Sequence, residues 1–216
     1  MNNITTVNMI KQQLRTGAVV DETILDLYVK IPRHQFVPKN YQDLAYSDMH
    51  IPLGKKQVML TPLEESTILQ ELALTGNETV LEIGTGSGFF TALLSKLAKQ
   101  IISVDYFEEF THNAAQKLTQ FNCDNVELIT ADAINGYLDQ APYDVIIYTG
   151  AIERLSDLQK LQLLPGGKLF AILGEHPVMQ GKLFTLDHKE NWRSKLLFST
   201  DIPMLINKFA KQKFVF

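Results

Sequence analysis

Residues 80–88, Val-Leu-Glu-Ile-Gly-Thr-Gly-Ser-Gly, constrain this chain more than any other stretch. The run from Thr79 to Ile83 is apolar and β-branched except for Glu82, which predicts a buried strand. Residues 89–97, Phe-Phe-Thr-Ala-Leu-Leu-Ser-Lys-Leu, then carry apolar side chains at helical spacing. Between the two, Gly84, Gly86 and Gly88 remove three Cβ atoms where the backbone must turn, admit a ligand and pack a helix on a sheet. A strand, a glycine turn and a helix in that order predict a parallel α/β fold with a small-molecule site at the turn.

Spacing narrows the ligand. A dinucleotide turn requires G-x-G-x-x-G, and its third position here is Phe89. The pattern present, E-x-G-x-G-x-G, resembles motif I of class I S-adenosylmethionine (SAM) methyltransferases. That resemblance implies a Rossmann-like, mainly parallel seven-stranded sheet with helices on both faces. It also implies SAM as cofactor and S-adenosylhomocysteine as product, cradled by Gly84, Thr85 and Gly86 with Glu82 beside them. Residues 100–105 predict the next strand, ending in Asp105 and followed by Tyr106, where the fold places an acid on the ribose hydroxyls. Capping a helix that starts near Phe107 is compatible with that role. Residues 125–130 predict a third strand, after which Asp132 is the expected partner of the adenine amine and the Ala133 amide of a ring nitrogen. A turn aspartate is the plainer reading of Asp132.

The leader adds a second resemblance. Residues 7–15 read as helical, and residues 21–30 as a helix capped by Asp21 with an apolar face of Ile24, Leu25, Leu27, Tyr28 and Ile31. Pro32 and Pro38 bound an irregular link. The succession Val29-x-Ile-Pro-Arg-His-x-Phe-Val-Pro38, Ala45-Tyr-x-Asp48, Ile51-Pro-Leu-Gly54, Gln57 and Pro62, followed by the glycine motif, resembles the protein-L-isoaspartate O-methyltransferase family. The similarity runs from about Ile10 to the terminal Phe-Val-Phe. It implies methylation of the side-chain carboxylate of isoaspartyl residues in damaged proteins, so that the partner is a protein or peptide substrate. Val58 and Met59 are then expected against the cofactor.

One departure stands out. Where the family carries G-Q-T-I/V-S-x-P, this chain has Lys56-Gln-Val-Met-Leu-Thr-Pro62. Leu60 occupies the position of the serine held to act at the substrate carboxylate. Thr61 is the nearest hydroxyl, but in an extended segment it faces away from Leu60. Thr61-Pro-Leu-Glu64 also reads as a capping box that engages that hydroxyl, on a helix running to about Leu74. The acceptor would then be oriented by backbone amides or polar residues near 48–57.

Residues 143–149 predict a fourth strand, without the N/D/S-P-P-Y/F/W motif of many amine and amide methyltransferases. Residues 158–164 are expected to finish a helix, Pro165-Gly-Gly167 to turn it and 168–173 to form a fifth strand. Residues 182–186 and 192–200 are expected as an edge hairpin. At 216 residues and 45% hydrophobic content the chain suits one structural unit, with a leader at 1–76 on a SAM-binding domain at 77–216. A net charge of −4 argues against a broad nucleic-acid surface, and the basic run at 208–213 reads as a solvated end. Five histidines lie at no metal-ligand spacing, so no metal is expected. One cysteine, Cys123, forms no intrachain disulfide, and no apolar run is long enough for a bilayer, which points to a cytoplasmic protein without a membrane partner. The oligomeric state stays open. Two rival readings share the cofactor frame: a different methyl acceptor, or SAM binding without catalysis.

Overall fold

A computed structural model describes residues 2–189 and 191–207. The leader begins with α1 (Asn2–Met9), which continues through a π-helical turn at Ile10–Leu14, and α2 (Glu22–Lys30). Asp21 caps α2 as expected, its carboxylate accepting from the amides of Thr23 and Ile24, and Ile24, Leu25, Leu27, Tyr28 and Ile31 are all buried. A small hairpin follows, β1 (Ile51–Gly54) and β2 (Gln57–Met59). Both residues of its turn, Lys55 and Lys56, have positive φ, the geometry that matches the twist of the two strands.

Next come α3 (Pro62–Leu72), β3 (Thr79–Ile83), α4 (Phe89–Ser95), β4 (Gln100–Asp105), α5 (Glu108–Gln120) and β5 (Val126–Thr130). The chain closes with β6 (Tyr143–Ile152), the four-residue α6 (Asp157–Lys160), β7 (Leu163–Glu175), β8 (Val178–Leu186) and β9 (Trp192–Thr200). The seven longer strands form one sheet in the order β5-β4-β3-β6-β7-β8-β9. The first five are parallel, and β8 and β9 add as the expected antiparallel hairpin.

Strand alternation divides the core. Val80, Ile101, Val145, Ile147 and Phe170 face α3, α4, α5 and the leader, with Ile68, Leu93, Leu118 and Tyr28 in the same cluster. Leu81, Ile83, Ile102, Val104, Ile146 and Tyr148 face the other way, against residues 131–141 and the segment around α6. The chain leaves β3 for β4 and β5 on one side, then returns to place β6 on the other. That reversal lies between β3 and β6, and ligands of such sheets bind beyond the strand ends at this point.

Two expectations need correction. The helix α3 stops at Leu72, two residues early, because Ala73 takes a left-handed conformation (φ 47°). No helix spans residues 158–164. Tyr143 N donates to Gln162 O, Tyr143 pairs with Leu163, and the chain is already extended there; Pro165-Gly-Gly167 is an irregularity inside β7. Sheet pairing at β6 overrides a local pattern that also suits a helix. The basic run at 208–213 lies outside the described residues.

Candidate active site

The glycine turn sits beyond the carboxyl end of β3. Gly84, Gly86 and Gly88 all have positive φ (103°, 53° and 80°), a conformation costly for any residue with a Cβ. Contacts reinforce the demand: a Cβ on Gly84 would strike Thr149 Oγ1, and one on Gly88 would meet Ala114 of α5 at 2.8 Å. Thr149, near the end of β6, donates to the carbonyls of Gly84 (2.5 Å) and Ile83 (3.1 Å). The turn is therefore clamped to the neighbouring strand across the switch point.

A cavity opens over this turn. Gly84, Gly86, Asp105, Tyr106 and Ala133 line it, as does Val58 from the β1–β2 hairpin. Asp105 is 7% exposed, and its two oxygens are used evenly: Oδ2 accepts from Gly86 N and Oδ1 from Phe107 N, each at 2.9 Å. Burial raises its pKa, while these backbone N–H groups work against the rise. Each oxygen keeps acceptor capacity for a ligand hydroxyl. Asp105 does not cap α5, whose N-cap is Phe107 and has no side-chain cap.

Several expected residues stand elsewhere. Glu82 is a correction: it is fully buried beneath the turn and lines no cavity of the site. Its Oε2 accepts from Thr91 of α4 and Ser103 of β4, both at 2.6 Å, and burial pushes its pKa up to about 8. The residue joins α4 to the sheet as a neutral acid. Asp132 does not line the cavity either, although Ala131 and Ala133 on both sides of it do; its Oδ1 accepts from Ile134 N at 3.3 Å.

Past Gly84 and Gly86 lies a second chamber. It is bounded by Met59, Leu60, Thr85 and Glu65, with Leu53, Val58, Gly84, Gly86 and Thr149 shared with the first. Leu60 is 4% exposed and contributes only hydrocarbon. Thr61 borders neither cavity. Its Oγ1 accepts from Glu64 N (3.2 Å) and its own N–H donates to Glu64 Oε2 (2.9 Å), the reciprocal bonds of the expected capping box. Glu64 also receives His50 Nε2 (2.8 Å) and Thr200 Oγ1 (2.6 Å). Burial works to raise the Glu64 pKa, and these partners together hold it below the usual carboxylate value.

The backbone at Leu60 is held from the leader. Arg33, fully buried, donates from Nη2 to Leu60 O at 2.6 Å, forms an ion pair through Nη1 with Glu65 Oε2, and lies over the Phe89 ring. Tyr28 donates to Pro62 O at 3.0 Å and approaches the same Glu65 oxygen at 3.4 Å. Arg33 stood within the Pro-Arg-His run, so its place near the site had a sequence signal. Glu65 had none, being one polar residue in a helix. Nor did Ile202, Pro203 and Leu205, which line the first cavity from a strap after β9. The strap is fixed by Leu205 N to Ala151 O (2.8 Å) and Gln57 Nε2 to Met204 O (3.2 Å).

Among the described residues no three His, Cys, Asp or Glu side chains gather as a metal site requires, and no helix is long and apolar enough to cross a membrane. A family model described as protein-L-isoaspartate(D-aspartate) O-methyltransferase matches residues 4–198. The protein-L-isoaspartate O-methyltransferase of Methanoculleus marisnigri is 36% identical over 166 residues, covering 77% of this chain and 76% of its own length. That of Opitutus terrae is 32% identical over 206 residues, 95% of this chain and 87% of its own. A solved protein-L-isoaspartate O-methyltransferase superposes with a TM-score of 0.80 at 20% identity, covering 96% of this chain and 66% of that one. A Plasmodium falciparum protein described as a protein-L-isoaspartate O-methyltransferase, in complex with S-adenosyl-L-homocysteine, gives 0.75 at 14% identity, over 95% and 98% of the two chains. These last two likenesses establish the fold.

Proposed function

The chain belongs to the protein-L-isoaspartate(D-aspartate) O-methyltransferase family, and on that membership we propose that it transfers a methyl group from SAM to the side-chain carboxylate of isoaspartyl residues in damaged proteins. The observation that carries the reading is the pair of cavities that share Gly84 and Gly86, one bordered by Asp105 and the other by Leu60. SAM supplies, when bound, a methyl group activated by a sulfonium. Asp105 would hold the ribose hydroxyls, and the Gly84-Thr85-Gly86 turn admits the ligand backbone because no Cβ intrudes. Tyr106 and Val58 would close around the cofactor, Met59 would wall the acceptor side, and the Ala133 amide would meet the adenine end.

No general base is required. A side-chain carboxylate of unperturbed pKa about 4 is ionised at neutral pH and attacks without losing a proton. The chain's task is alignment, which is worth on the order of 7–11 kcal/mol in well-oriented cases. Arg33 serves that end by fixing the Leu60 carbonyl and hence the wall of the acceptor chamber. A cytoplasmic location goes with this reading, supported by a lone free cysteine that has no disulfide partner. The test is the bond formed: with labelled SAM, an isoaspartyl peptide should gain a base-labile methyl ester. A base-stable label on the peptide would refute carboxyl transfer.

A further inference from the structure

We propose that Glu65 contacts the methyl acceptor directly, its Oε1 carrying the proton that hydrogen-bonds one oxygen of the acceptor carboxylate where Leu60 has no hydroxyl to offer. The inference deepens the carboxyl-transfer reading and rests on it. Glu65 and Leu60 bound the same chamber, together with Gly84, Gly86 and Thr149, which also border the cofactor cavity. Glu65 is the acid in that lining. Its contacts to Arg33 and Tyr28 are both made at Oε2, so Oε1 is engaged by neither.

Charge decides the protonation state. Among the described residues the cation facing Glu65 is Arg33, from the turn after α2, and it balances one carboxylate. The other titratable groups that act on Glu65 are Tyr28 of α2, Glu64 of α3 and Glu82 of β3, none of them cationic. An acceptor carboxylate entering beside Glu65 therefore meets a second carboxyl with no protein cation to spare, and two carboxyls that close share a proton. Glu65 is prepared to hold it, since burial lifts its pKa to about 7 even against Arg33. In the transfer the acceptor's other oxygen forms the new O–C bond as the C–S bond breaks, with its electron pair passing to sulfur. The proton on Glu65 stays in place throughout and orients the acceptor.

The test compares wild type, Glu65→Gln, Glu65→Leu and Glu65→Leu/Leu60→Ser, each with SAM affinity measured as a check on folding. Wild-type kcat/KM for an isoaspartyl peptide should fall as pH rises through about 7. Glu65→Gln keeps a donor and should abolish that limb. Glu65→Leu should lose roughly ten- to a hundredfold in kcat/KM at unchanged SAM affinity, and adding Leu60→Ser should recover most of it. If Arg33, left unpaired, prevents Glu65→Leu from folding, the pH profile of Glu65→Gln decides alone. A wild-type profile flat through neutrality, or one that Glu65→Gln leaves unaltered, overturns the proposal while the function stands. A wild type that binds SAM but never methylates the peptide overturns the function, and this inference with it.

Discussion

Asp105 ties the turn together with one carboxylate at the edge of the cavity, its two oxygens accepting from the amides of Gly86 and Phe107. Asp105→Ala should weaken SAM binding by roughly 1.5–3 kcal/mol for each charge-assisted bond lost. Calorimetry that finds unchanged affinity in a folded variant would remove Asp105 from the site. Leu60→Ser adds a donor to the chamber proposed for the acceptor and should raise isoaspartyl turnover, by up to roughly tenfold, with SAM affinity nearly unchanged. A fall in turnover, or a parallel change in SAM affinity, would place Leu60 outside the acceptor wall. At this scale the sequence was readable where a motif fixes the backbone, as at Gly84, Gly86 and Asp105. It misplaced Glu82 because an acid in a glycine motif has the same spelling whether it faces the ligand or the helix behind the strand. Strand alternation sends Glu82 to the side of Val80, under α4, where Thr91 and Ser103 hold it.

The capping box of α3 is legible in the sequence, since Thr61, Pro62 and Glu64 each suit one position in it. Thr61→Ala should cost about 1 kcal/mol of stability in denaturant unfolding and leave kcat on an isoaspartyl peptide nearly intact. A large loss of kcat at unchanged stability would give Thr61 a role in transfer. The helix expected to finish at 158–164 shows the opposite case, since α6 ends at Lys160. Leu158, Leu161 and Leu164 fit helical spacing, but Gln162 and Leu163 are drawn into pairing with Tyr143, and only the tertiary partner reveals it. The strap that follows β9 was invisible for a related reason. Its place over the switch point depends on bonds to Ala151 and Gln57, neither of which its own residues announce.

Across the whole molecule, the core on one side of the sheet encloses a carboxyl with no counter-charge bonded to it. Glu82 is protonated in the folded chain below about 8 and ionises in the unfolded chain near the ordinary carboxylate value. The folded state therefore binds the extra proton, and stability is lost progressively as pH rises from the ordinary carboxylate range toward about 8. Thermal unfolding of Glu82→Gln should show a weaker decline over that window than wild type, and identical pH slopes would mean that Glu82 is ionised in the fold. NAD should not bind, because Phe89 is fully buried against Tyr28, Phe36 and Arg33 at the helix start where a dinucleotide turn needs glycine. The central claim is that these layers converge on one acceptor chemistry. Its most direct measurement is methyl transfer from labelled SAM to an isoaspartyl peptide beside the same peptide with normal aspartate. The account predicts turnover of the first and none above background for the second; equal labelling of both, or of neither while SAM is bound, would contradict it.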